Sequence, residues 1–358
     1  MLPFIPPLPP LRSLLAYAET LAVALAGGAT FTLLGFPAGL VSGAVLAVAA
    51  AALLRRPMKV PLPLARVGYV VVGIMLGSVV TPQTLMGVVT WPVSVGLLMI
   101  AAVAMIVATT SYLRVVHRWD LLSALMGSSP GSMVQVIALS TELGADLRAI
   151  AIVQTLRVLL LTTGIPAVLA LFGLVAPAVQ MTRGAGGGSL WQLVILVGVS
   201  SVVAVVLARV RFPGGLIFGA MAGSGLLHGT GWVTALLPWW LGSAAVLVLG
   251  SVVGARFANT TFWVLLGYLG AGFGSFAVSL SVAGLFMLIV THFFPFPIAN
   301  VVVAFSPGAQ DTMMVLALAL HLDPVYVGAH HVARFLVVTF SIAIAARRMA
   351  RKAPAARN

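Results

Sequence analysis

Between Arg256 and Asp311 the chain runs for 54 residues without an Asp, Glu, Lys or Arg. That is more than two helices need to cross a hydrocarbon layer about 30 Å thick. Three further charge-free tracts run from Glu19 to Arg55, from Arg66 to Arg114 and from Arg211 to Arg256. Charged residues make up 7% of the 358, where a soluble domain carries about 25%, and the mean hydropathy is +1.17. These tracts exclude an ordinary soluble domain and point to an integral membrane protein. The reading is an all-α, polytopic transmembrane bundle of about 10 to 12 spans.

The second constraint is internal. Ser129-Pro130-Gly131, Asp146 and Arg157 recur as Ser306-Pro307-Gly308, Asp323 and Arg334, each 177 residues later. Phe36-Pro37-Ala38-Gly39-Leu40 likewise matches Phe212-Pro213-Gly214-Gly215-Leu216. Two duplicated halves are expected, 1–180 and 181–358, joined by the Gly-rich run between Met181 and Ser189. Twelve apolar stretches can be marked, among them Leu121 to Leu143 and Ile298 to Leu320. Two are short for a span, Ala38 to Leu54 and Gly214 to Leu227.

Proline inside an apolar run breaks a helix but opens the next one well, and serine is a good N-cap. Each half is therefore expected to hold a broken helix that restarts at Ser-Pro-Gly. Its first N–H groups and positive dipole end would face the protein interior, where they attract anions. Asp146 and Asp323 stand where helix caps belong. Arg157 and Arg334 follow 11 residues later, about 16 Å along a helix and near mid-membrane. An arginine there needs a partner or a ligand.

Asp311 lies just after the second Ser-Pro-Gly, where it is read either as the partner of Arg334 or as a proton- or sodium-titrated site. His330 and His331 precede Arg334, where the first half has Val153 and Gln154; one of them could titrate near neutral pH. The candidate substrate-binding set is Ser129, Pro130, Gly131, Gln135, Arg157, Ser306, Pro307, Gly308, Gln310 and Arg334. The candidate ion-coupling residues are Asp311 and His331. No phosphate loop, hydrolase elbow or His-Glu-x-x-His motif is present, and cysteine is absent. The reading is a non-enzyme with no cofactor and no metal site.

The net charge of +13 comes from basic residues clustered where apolar runs end, so it reads as topology, not nucleic-acid binding. With twelve spans and a cytoplasmic amino terminus, thirteen Lys and Arg fall inside. Arg148, Arg209, Arg211 and Arg256 fall outside. Both termini are expected in the cytoplasm. Six spans per half would make the repeats parallel, and a different count would change the symmetry.

The duplicated Ser-Pro-Gly, the Asp caps, Gln-x-x-Arg and His-x-x-Arg, and the Phe-Pro-x-Gly-Leu opening of each half resemble the AbrB-duplication family of bacterial inner-membrane proteins. Members carry the labels AbrB family regulator and ammonia monooxygenase. More distantly, the broken helices are similar to the crossed-helix core of bile-acid and arsenite-type transporters, which implies a substrate site where two broken helices meet. The expectation is a secondary transporter of a small organic anion in the bacterial inner membrane. A membrane regulator of gene expression acting through a partner is the alternative, with a membrane oxygenase third. The expected partners are the lipid bilayer and an anionic small molecule; a homo-oligomer is allowed, nucleic acid is not.

Overall fold

The computed structural model describes residues 10–80, 91–129, 136, 139–141, 143–175 and 189–352. Among the described residues all regular structure is helical. The elements in order are α1 (Leu11–Leu33), α2 (Gly39–Leu53), α3 (Leu62–Gly77), α4 (Pro92–His117), α5 (Leu121–Ser128), α6 (Leu147–Leu171) and α7 (Leu190–Arg209). Then come α8 (Gly215–Gly229), α9 (Trp239–Gly254) with a 3-10 turn at Ala255–Asn259, α10 (Phe262–Phe293), α11 (Ile298–Phe305), α12 (Gln310–Ala319) and α13 (Pro324–Lys352).

Local chemistry sets the starts. The side chains of Asp120, Asp146 and Ser189 accept hydrogen bonds from the first amides of α5, α6 and α7. Pro92 opens α4, where its missing N–H costs nothing. The residue before α2 is Ala38 (φ 51°) and before α8 is Gly214 (φ 63°). This left-handed step makes the tight reversal that the two Phe-Pro-x-Gly-Leu segments encode.

Among the described residues seven helices are long and apolar enough to cross a membrane, and α2, α3 and α8 are shorter apolar helices of 15 or 16 residues. Close glycine contacts fix how the halves meet. A Cβ at Gly73 would lie 2.3 Å from the Ile217 carbonyl oxygen, and one at Gly77 2.4 Å from that of Met221. Four residues along α3 thus match four along α8, so these two helices run parallel. Gly250 and Gly254 of α9 approach Ala44 and Val45 of α2 in the same way, again in parallel. Only glycine lets the backbones come this close.

The stretch Ile298 to Leu320, expected to cross the membrane, does not. It divides into α11 and α12, and the chain returns to where it started: the Asp323 amide donates to Asn300 Oδ1 at 3.3 Å. In the other expected span, Leu121 to Leu143, the Asp146 amide donates to Ser123 Oγ at 2.9 Å, so that segment also begins and ends at one level. Neither runs through: the described ends of each lie at one level, and its first arm, α5 or α11, runs parallel to the following long helix.

Ser306 does not cap a restarting helix. It closes α11, with its hydroxyl donating back to the Val302 carbonyl, and α12 begins only at Gln310 after Ala309. The reason is local. Pro307 has no N–H, and the Gly308 amide is spent on the Ser306 carbonyl at 2.8 Å. The tip therefore presents carbonyl oxygens.

Candidate functional site

Those carbonyls are held by the arginines. Arg334, 1% exposed in α13, donates from one terminal nitrogen to the Ser306 carbonyl and from the other to that of Gly308 at 2.6 Å. Arg157, 5% exposed in α6, donates to the carbonyls of Ser128 at 3.2 Å and Ser129 at 2.9 Å. A planar guanidinium suits this task because it offers several donors in one fixed fork.

One helical turn earlier a second tie repeats. Gln154 Nε2 donates to the Met126 carbonyl at 2.9 Å, and His331 Nε2 to that of Val303 at 3.1 Å. A third lies at the helix start. Asp146 Oδ1 accepts from the amides of Arg148 and Ala149, and Asp323 Oδ1 from those of Val325 and Tyr326. Residues 126, 146 and 154 become 303, 323 and 331 on adding 177, so the bonding scheme has the spacing of the sequence motifs.

The protonation state of His331 follows from its neighbours. A carbonyl only accepts, so the Nε2 facing Val303 carries the proton; Arg334 only donates, so the Nδ1 at 2.6 Å from it is bare. His331 is thus a neutral acceptor holding Arg334. His330 is fully buried too, with Nδ1 2.8 Å from the Tyr326 carbonyl and Nε2 2.9 Å from Ser94 Oγ.

Asp311 does not partner Arg334. It sits in the first turn of α12, where Tyr69 of α3 donates to its Oδ2 at 2.9 Å and Arg256 of the 3-10 turn lies 3.5 Å from the same oxygen. Arg334 is turned instead towards the carbonyls of its own tip. Gln310, beside Asp311, donates to the Pro213 carbonyl at 3.3 Å. Pro130, Gly131 and Gln135 lie outside the described residues.

The electrostatics of the tips are unusual. Among the described residues the ion pairs are Arg56 with Glu19 and Arg256 with Asp311, so neither buried arginine has an acidic partner among those residues. The Nε atoms of both, together with Ser129 Oγ and Thr312 Oγ1, are buried without a hydrogen-bond partner among the described residues. Each guanidinium thus keeps one N–H without a protein partner among the described residues while its terminal nitrogens hold tip carbonyls. Sequence reasoning missed Gln154, Tyr69 and Arg256. The Gln154–His331 match was visible in the offset, whereas nothing in the α3 sequence marks Tyr69.

The sequence pattern of the family described as "Transition state regulatory protein AbrB" matches residues 40–350. The chain belongs to the AbrB family. Relatives of this AbrB-family protein include "Uncharacterized protein YhjN" of Bacillus subtilis (strain 168), 23% identical over 342 residues, which are 89% of each chain. Another is "Putative regulator AbrB" of Escherichia coli (strain K12), 24% identical over 292 residues, 78% of this chain and 79% of that one.

Proposed function

We propose that this AbrB-family protein is a secondary transporter of a small organic anion, bound between its two hairpin tips by Arg157 and Arg334. The observation that carries this reading is the pair of buried arginines with no carboxylate partner among the described residues. Each leaves Nε unpaired among those residues, and a bound carboxylate, sulfonate or phosphate would take up these donors and offset two desolvated charges.

A topology follows from the returning hairpins. Five crossings per half, ten in all, leave both termini on one side. Arg148, Arg209, Arg211 and Arg256 then join the thirteen basic residues on that side and Arg183 leaves it, giving sixteen against one. Such a bias supports cytoplasmic termini. An odd number of crossings also makes the halves inverted, which fits α2 running parallel to α9 and α3 to α8. The hairpins then enter from opposite faces and meet in the membrane, the arrangement of alternating-access carriers. The regulator reading rests on the printed descriptions of the family and of the Escherichia coli relative.

The test is counterflow in proteoliposomes loaded with a panel of small carboxylates, sulfonates and phosphates. Saturable exchange of at least one anion is expected, and it should disappear in Arg157→Gln and Arg334→Gln. Exchange of none, or exchange unaffected by both substitutions, overturns the reading.

A further inference from the structure

Apart from the tips, one polar cluster ties the second hairpin to the rest of the molecule. Asp311 Oδ2 receives Tyr69 of α3 and faces Arg256 beyond the end of α9. Beside it a recess with room for about one water molecule is lined by Val41, Tyr69, Leu249, Val253, Asp311 and Thr312 among others. Thr312 Oγ1, in a residue 3% exposed, is buried there with no partner among the described residues. Asp311 keeps 27% of its side-chain surface accessible and Arg256 20%. The carboxylate is therefore both tied and within reach of a proton.

We propose that Asp311, Tyr69 and Arg256 form a proton-operated latch: protonation of Asp311 releases Arg256 and frees the tip of the second hairpin from α3 and α9. This inference rests on the transporter reading and names its coupling ion. A guanidinium 3.5 Å from Oδ2 repels a metal cation that would bind the same oxygen, whereas a proton replaces the ion pair by neutralising the carboxylate. The charged and titratable groups that face Asp311 are few. Tyr69 comes from α3 and Arg256 from the 3-10 turn; α2 and α9 contribute only Val41, Leu249 and Val253 to the recess. Arg157 of α6 and Arg334 and His331 of α13 are engaged with the carbonyls of the tips. α11 brings no charged side chain. The residue 177 before Asp311 is Val134, so the first hairpin has no equivalent carboxylate.

Because the chain has no cysteine, a single Ala309→Cys at the tip reports its exposure without background. Maleimide labelling of the full-length protein is compared at each pH with labelling of the same cysteine in an Asp311→Asn background, which cancels the reagent's own pH dependence. Labelling with Asp311 present is expected at about one fifth of the Asp311→Asn rate at pH 8, a factor typical of one such interaction. The two rates should converge as the pH is lowered. Arg256→Gln should label fast at pH 8 with an unchanged gel-filtration profile. A ratio independent of pH, a ratio moved at pH 8 by sodium chloride but not by potassium chloride, or slow labelling in Arg256→Gln overturns the latch. Anion counterflow, read separately, distinguishes the failures: a pH-gated tip without flux removes the transporter reading and leaves the latch, and flux with an unresponsive tip does the reverse.

Discussion

The two hairpin tips share a frame and differ in what is added to it. In both, an arginine on the following long helix grips two carbonyls, a side chain one turn earlier grips a third, and an aspartate caps the helix start. These shared bonds hold a re-entrant segment against its helix, as any hairpin with exposed carbonyls in an apolar medium requires. Among the described residues the unshared groups lie in the second tip, where His331 replaces Gln154 and supports Arg334, and Asp311 reaches Tyr69 and Arg256. Repetition marks the scaffold, and the proposed latch draws on the groups that are not repeated.

The largest effect that could break this comparison comes from the arginines. Each charge-assisted bond to a tip carbonyl is worth roughly 1.5 to 3 kcal/mol. Arg334→Gln should lower unfolding stability in mild detergent by about 3 kcal/mol or more, and Arg157→Gln by less, since its bonds are longer and no histidine supports it. Equal stability of both variants and wild type would show that the arginines do not hold the tips.

An exchange between the halves sharpens it. Glutamine at 331 can still donate to the Val303 carbonyl, as Gln154 does to Met126, but no longer offers the ring nitrogen to Arg334. His331→Gln should therefore cost about 1 kcal/mol, while His331→Ala, which leaves the carbonyl bare, should cost more. The reverse order would mean that the Arg334 contact matters and the frame does not.

Tyr69→Phe removes the bond that ties α3 to the second hairpin, and a loss of about 1 kcal/mol is expected. In an Asp311→Asn background that loss should shrink, because the acceptor is no longer charged. A double-mutant cycle with no coupling would detach Tyr69 from Asp311.

The smallest effect belongs to the caps. Asparagine caps a helix nearly as well as aspartate, so Asp323→Asn should change stability by only a few tenths of a kcal/mol and Asp323→Ala by about 1. Burial pushes the Asp323 carboxyl above its usual range, against the opposing amides of Tyr326 and Val325. A raised folded-state value means the folded protein holds that proton more tightly. The stability it contributes is present at low pH and lost as pH rises through the shifted value. Asp323→Asn should abolish that slope in a pH series of unfolding midpoints.

The membrane class was legible in sequence because charge-free tracts of this length have no other home. The offset of 177 was legible as well, and with it the positions of Asp146, Asp323 and both arginines. That Ile298 to Leu320 turns back was not. It has the length and polarity of a span, and the bond between Asn300 and Asp323 that marks its return is visible only in the structure. The partner of Asp311 was misread for the same reason: Tyr69 lies 242 residues away in sequence, and Arg256 looked like a loop charge.

Whether the two hairpins meet from opposite faces of the membrane can be asked directly with single cysteines in this cysteine-free chain. Arg148→Cys and His292→Cys, at exposed sites beside the first and second hairpins, would be labelled with a membrane-impermeant maleimide in right-side-out and inside-out vesicles. Arg148→Cys should react on the side of Arg118→Cys, and His292→Cys on the other side, with His321→Cys. Reaction of Arg148→Cys opposite Arg118→Cys, or of His292→Cys opposite His321→Cys, would make these segments spans and rule out hairpins that enter from opposite faces.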